Sequence, residues 1–318
     1  MVQEVSTIDN LLNIAGTGLL FVVLAVLLFL AFYWGIRFYF WYLRFNNRSK
    51  SLSKKTFFKI QIPEDSEIEP AAAEQMYSSM YGIKKSGFIN SLKEQDHISF
   101  EIVANNSSIE FYAICPSSLE NLVEKQINAA YPEAELTKVD PWNIWGESGF
   151  VEFKGLALKK EDYLPINMYE DMKVDSMAVL TSSMNKLHDG EGLAIQILIR
   201  PAEDNWQKKA KDHIKSYVAK HNQTDKDGKS VGPKMSKIDE DYLQKIQEKI
   251  AKVGFETVIR LVSVSMDEAS AKVNLSNLER AFGQFNSPSF NSLRSVPKRY
   301  QKFFVTSFIS RMFPVVEK

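Results

Sequence analysis

The sequence predicts an α+β membrane protein: an N-terminal transmembrane helix followed by two ferredoxin-like (βαββαβ) units, the second with a helical-hairpin insertion. Three observations lead there. The 27 residues between Asp9 and Arg37 carry no formal charge. Beyond residue 50, short apolar stretches alternate between a period of two, which suits strands, and a period near 3.6, which suits helices. The order in which those periods follow one another occurs twice, and it is the β-α-β-β-α-β order in which two helices cover one face of an antiparallel sheet.

The span comes first. Ile14 to Ile36 is almost wholly apolar, and at ~1.5 Å per residue a helix of that length reaches roughly 35 Å, enough to cross a hydrocarbon core of about 30 Å. Its exit is crowded with rings that settle at a headgroup boundary, Trp34 and Trp41 among them, and with the basic residues Arg37, Arg44, Arg48, Lys50, Lys54 and Lys55. Trp34, Arg37, Trp41, Arg44 and Arg48 are therefore the expected membrane-interface residues. Only Glu4 and Asp9 are charged before the span, so the basic side should stay inside, with the N-terminus outside and residues 51–318 cytoplasmic in a bacterial inner membrane. A cleaved signal peptide would need a basic head and a small-residue exit, and this head is acidic and this exit aromatic.

The chain has 39 basic and 39 acidic residues; four basic and two acidic ones lie in the first fifty, leaving 35 against 37. That balance excludes a protein that coats duplex nucleic acid through a basic excess, while smaller nucleic-acid contacts stay open. Cys115 is the one cysteine, so no intrachain disulfide framework exists, and in the run Phe111–Cys115 a buried hydrophobe is its expected role.

The domains read as an anchor with a basic juxtamembrane segment (1–50), an α+β domain (51–140) and a second α+β domain (141–318) with a helical insertion at about 204–254. In the first, Phe57–Ile62 is a strand stopped by Pro63, and Ala72, Met76, Met80 and Ile83 recur at helical spacing. Ile98, Phe100 and Ile102 alternate up to a turn at Asn105-Asn106-Ser107, after which Ile109, Phe111 and Ala113 alternate again. Ser117 and Glu120 form a capping-box pattern ahead of the stripe Leu119, Leu122, Val123, Ile127 and Ala130, and Ala134–Val139 is a closing strand. In the second, Val151–Leu158 is a strand, Met177, Leu180, Met184 and Leu187 mark a helix, and Leu193–Ile199 is an apolar strand. One inserted helix carries Trp206, Ala210 and Ile214; the other carries Leu243, Ile246 and Ile250 and stops at Gly254. Phe255–Val264 is the next strand, Ser265 and Glu268 form another capping box ahead of Ala271, Leu275 and Leu278, and Lys302–Ile309 is the expected last strand.

Chemistry is sparse. Gly228-Lys229-Ser230 has the tail of a phosphate-binding loop, but Gln223 stands where the loop needs glycine, and the context is a polar hairpin tip. His97, His188, His213 and His221 have no partner at metal-ligand spacing and read as surface residues. Gly146-Glu147-Ser148-Gly149 is one residue short of a nucleophile elbow, and no carboxylate stands paired in an apolar setting that would tune it. The expectation is a chain that is not an enzyme, with no catalytic residue, cofactor or metal. Trp206, Lys208, Lys209 and Lys229 form a candidate partner-binding arm, although lysines mixed with Asp204 and Asp212 also suit the solvated side of an amphipathic helix.

An apolar span with an aromatic and basic exit, then Ala71–Gly82, then Ile98–Ile102, then Cys115-Pro116 running into Ala129–Glu135, resembles the leader region of membrane-anchored conjugation-type ATPases, the motors of bacterial type IV secretion. The likeness covers roughly residues 10–315 and is densest over 57–139. It implies a component of such an apparatus with membrane lipid and a motor ATPase as partners and a homo-oligomeric ring as its context. The family's motor needs a phosphate-binding loop with an acidic partner, and the sequence stops at Lys318 before any such segment, so the motor is either a separate polypeptide or missing from a truncated piece. The expected function is a non-catalytic, single-span component that docks or organises that motor. The alternative is a free-standing membrane-tethered adaptor for another protein or for nucleic acid.

Overall fold

The computed structural model describes residues 18–39, 54–63, 69–85, 95–145, 149–172, 174–221, 234–297 and 304–314. The first helix, α1 (Gly18–Tyr39), is 22 residues long, apolar and exposed among the described residues. It is long and apolar enough to cross a membrane.

Residues 52–85 and 95–318 form a separate compact unit, built on β1 (Lys55–Gln61), β2 (Ile98–Ala104), β3 (Ile109–Pro116), β4 (Glu135–Lys138), β5 (Phe150–Leu158), β6 (Gly192–Pro201), β7 (Phe255–Ser265) and β8 (Leu293–Ser295). All eight join one antiparallel sheet in the order β4-β1-β3-β2-β6-β7-β5-β8. The segments 51–140 and 141–318 contribute four strands each, ordered β4-β1-β3-β2 and β8-β5-β7-β6, and their second strands β2 and β6 pair along seven residues, from Ile98 with Ile199 to Ala104 with Leu193.

Alternation decides the two faces. Ile98, Ile102, Ala113, Ile195 and Leu261 point to the side covered by α2 (Pro70–Met80), α3 (Glu120–Ala130), α4 (Ser176–Ser183) and α7 (Glu268–Ala281), where Met76, Met80, Val123, Ile127, Leu180, Leu275 and Leu278 complete two buried clusters. Between β6 and β7 the chain makes the expected hairpin of α5 (Asn205–His221) and α6 (Lys237–Ile250), which packs Trp206, Ala210 and Ile246 around Tyr163 and Leu164. The Gly228-Lys229-Ser230 stretch lies outside the described residues.

Several boundaries differ from expectation. Ser117 does not cap α3: the helix starts at Glu120 after a 3-10 turn, and Glu120 accepts instead from Thr56 Oγ1 at 2.8 Å and from Lys138 Nζ. The α7 cap is Asp267, whose carboxylate accepts from Ser270 N, and not Ser265. A capping box does exist at α6, where Ser236 and Asp239 bond reciprocally. The expected strand Lys302–Ile309 is corrected to a helix, α8 (Phe304–Ile309), and the last strand is β8. Phe304 and Phe308 are one helical turn apart, so both reach the same buried cluster, a contact that strand alternation with its wider reach does not supply.

Candidate functional site

The sheet face opposite the four helices carries the most concentrated buried polarity in the protein. Phe57, Val103, Tyr112, Ile114, Ala194, Val262 and Val264 line it, and it is covered by α8 and by Trp142, Ile144 and Trp145 of the β4–β5 connection. Across its middle runs a row set by strand register: Lys59 of β1 faces Tyr112 of β3, Tyr112 faces Glu101 of β2, Glu101 faces Gln196 of β6, and Gln196 faces Arg260 of β7.

Glu101 is at the centre, 1% exposed. Its Oε1 accepts from Ser99 Oγ at 2.7 Å, Gln196 Nε2 at 2.8 Å and Arg311 Nε at 3.0 Å; its Oε2 accepts from Trp142 Nε1 at 2.6 Å and Arg311 Nη2 at 3.0 Å. A buried carboxylate persists only when its lone pairs are met in this way. The Arg311 guanidinium lies 4.7 Å from the Phe57 ring centroid and 5.1 Å from that of Trp142, so aromatic faces cover it. Beside the row, Tyr112 donates to Glu110 at 2.5 Å and Lys59 to the same carboxylate at 2.7 Å. Burial and then the Glu110 bond push the Tyr112 phenol up.

The same side chains take up the end of α8. Arg260 donates to Ser307 O at 3.1 Å and Met312 O at 2.7 Å, and Gln196 donates to Phe308 O at 3.0 Å. Lys55 donates to Ser310 O at 2.5 Å, and the His97 ring sits 2.7 Å from Arg311 O. Helix C-terminal carbonyls carry partial negative charge and want such partners. The helix closes with Met312 N donating to Ser307 O and Arg311 N to Phe308 O, a Schellman turn. Its left-handed residue is Arg311, with φ at 52°. Glycine is the usual occupant, and an arginine there costs about 1–2 kcal/mol. The position holds because both oxygens of Glu101 grip one edge of the guanidinium, while its Nη1 donates to Ile309 O. Residues 304–314 are thus a strap, bound to the sheet by side chain to carbonyl bonds and by Phe304, Phe308 and Phe313, the last with Arg200 at 4.0 Å from its ring centroid.

This site corrects two sequence expectations. A carboxylate does stand paired in an apolar setting, and His97 is half-buried in the strap contact, while His213 is half-buried among Tyr163, Tyr217 and Tyr242. His188 is exposed, and His221 stacks on Tyr217. The signal for the site was a charged or amide residue at the centre of each of three strands, Glu101, Gln196 and Arg260, each flanked on both sides along its strand by an apolar residue.

The remaining candidates scatter. Trp34 and Arg37 lie on α1 and are exposed, with Arg37 Nη1 3.4 Å from Tyr33 OH; Trp41, Arg44, Arg48 and Lys229 lie outside the described residues. Trp206 is half-buried in the hairpin core, whereas Lys208 and Lys209 are exposed. Lys249 donates to Asp162 O at 2.5 Å and Leu164 O at 3.0 Å, tying α6 to the loop after β5, and burial lowers its ammonium pKa to about 8. Cys115 is buried, and its thiol is pushed up to about 12 by burial first and by Glu120 second. Among the described residues no group of three or more His, Cys, Asp or Glu side chains is placed to hold a metal ion.

Residues 48–300 match the family model described as a domain of unknown function (DUF8128). No curated protein matches the chain. Similar solved structures include the crystal structure of aclacinomycin oxidoreductase, at 11% identity over 73% of this chain and 41% of that one, with a TM-score of 0.35. Another is glycopeptide hexose oxidase DBV29 complexed with teicoplanin, at 8% identity over 74% of this chain and 44% of that one, with a TM-score of 0.32. The chain thus spans about two fifths of the length of either structure. The expectation that the chain is not an enzyme is corrected: it rested on the absence of a recognised motif, an oxidoreductase and an oxidase stand among the similar structures, and the exclusion is withdrawn. TM-scores at this level assign neither a reaction nor a cofactor to it.

Proposed function

We propose that this chain, which belongs to the DUF8128 family, is a single-span component of a type IV secretion or conjugation-like apparatus that docks a motor ATPase from the cytoplasmic side of a bacterial inner membrane. The observation that carries the reading is the combination of α1 with the leader-like run of residues 57–139, which folds as β1-α2-β2-β3-α3-β4. The strand orders β4-β1-β3-β2 and β8-β5-β7-β6 are those of ferredoxin-like units, which supports reading the body as two such units fused through β2 and β6. Orientation follows from six basic residues from Arg37 to Lys55 against none before the span.

Two experiments test the proposal. The tagged full chain, extracted from its native membranes in mild detergent, should retain a hexameric ATPase or other secretion subunits; retention only of unrelated proteins would overturn the assignment. A reporter active only in the cytoplasm, fused after Lys318, should be active, and activity of an exported reporter at the same junction would reverse the topology.

A further inference from the structure

We infer that the exposed face of α5 is an electrostatic contact for an anionic bilayer surface. It rests on the anchor and not on the assignment to a secretion apparatus. Within its 17 residues α5 carries Lys208, Lys209, Lys211, Lys215 and Lys220 against the single acid Asp212. All five lysines are exposed. Lys208, Lys211 and Lys215 are spaced by three and four, which places them on one ridge along the helix.

Two further observations separate this ridge from an ordinary solvated face. Several lysines elsewhere on the body meet carboxylates, among them Lys59 with Glu110, Lys84 with Asp204, Lys85 with Asp96 and Lys252 with Glu74. Others such as Lys125 and Lys186 do not, but no other described helix of the body carries a basic excess, α3 and α6 each holding more acids than lysines. Among the described residues none of the five α5 lysines is in an ion pair, and Asp239 at the start of α6 accepts instead from Ser236 and Tyr217. The apolar side of α5 is also sealed, since Trp206, Ala210 and Ile214 pack into the hairpin core. Insertion of the helix into acyl chains is therefore closed to it, and what remains is attraction at headgroup level, screened over about 8 Å at physiological salt. Each lysine near an anionic leaflet strengthens surface partition about fivefold, so the three ridge residues together supply roughly a hundredfold. A chain already tethered by α1 has no separate association step to complete, so a contact of this size is enough to hold the hairpin down.

The test uses the full chain in proteoliposomes, labelled with a fluorophore at Ala219→Cys, which is exposed two turns beyond Lys211 on the same ridge; the buried Cys115 stays unlabelled in the folded protein. Phosphatidylcholine vesicles are compared with vesicles that also contain phosphatidylglycerol, each with a headgroup spin-labelled lipid as quencher. Quenching should appear with phosphatidylglycerol, be absent in phosphatidylcholine alone, and disappear in high salt. It should also disappear in the combined variant Lys208→Glu, Lys211→Glu and Lys215→Glu, and in the milder set with glutamine at the same positions should that variant misfold. Quenching that is absent, equal in both lipids or unchanged in the variants would overturn the inference, and would leave the ridge to an acidic protein or to solvent.

Discussion

Arg311 and Glu101, 210 positions apart in the chain, form a two-pronged ion pair, Nε to Oε1 and Nη2 to Oε2 both at 3.0 Å, with side chains 8% and 0% exposed. The pair joins the strap to the sheet at its most buried point. Removing one partner would leave a charge without compensation in a low-dielectric site, so Arg311→Ala should cost about 3–5 kcal/mol. Replacing both, as Glu101→Leu with Arg311→Met, should recover only part of that, because the desolvation cost goes with the pair while Ser99, Gln196 and Trp142 lose their acceptor. Denaturant unfolding of the detergent-purified full chain, followed by tryptophan emission, reads both. A loss under about 1 kcal/mol for Arg311→Ala would show that the strap is not held there.

Gly254 sits directly under the Trp206 indole. A Cβ built on it would lie 2.6 Å from Trp206 Nε1 and 2.7 Å from two ring carbons. Gly254→Ala should therefore displace the indole and cost about 1–3 kcal/mol by overpacking, and the companion change Trp206→Phe should relieve part of it. The melting temperatures of the two single variants and the double variant check this: simple additivity would mean that the two residues do not press on each other.

Lys249 makes stability depend on pH in the alkaline range. Its pKa is lowered from 10.5 to about 8 by burial in the fold, with the ordinary value regained on unfolding. Between those values the unfolded chain binds more protons, so stability attributable to this group rises as pH climbs from about 8 to about 10.5 and is flat below that window. The difference in denaturation midpoint between the wild type and Lys249→Met should grow in favour of the wild type over that range. A constant difference would place the ammonium in water.

Cys115 should behave as a core side chain. With its thiol pushed up to about 12, the thiolate is scarce at pH 8 and the residue is 1% exposed, so a thiol reagent should label the protein only at the rate of unfolding. Rapid labelling under native conditions would contradict the packing of β3 against α2 and α3.

Local periodicity along the chain was enough to place most of the elements. Uncharged length marked α1, alternation marked the strands from Phe57 to Val264, and one-sided stripes such as Val123–Ile127 and Leu275–Leu278 marked helices and the face they cover, because burial of one side imposes a period on the chain. Which strands pair at long range was beyond such signals: the joining of β2 to β6 depends on two edges nearly a hundred residues apart finding each other. The second covering of the sheet was equally hidden. Ser99 and Glu101 alternate with apolar neighbours as solvent-facing residues would, and only the arrival of Trp142, α8 and Arg311 on that face turns them into a buried network. For the same reason the strand expected over Lys302–Ile309 is instead a helix from Phe304, since its last carbonyls meet Arg260, Gln196 and Lys55, partners that no local pattern in residues 304–314 announces.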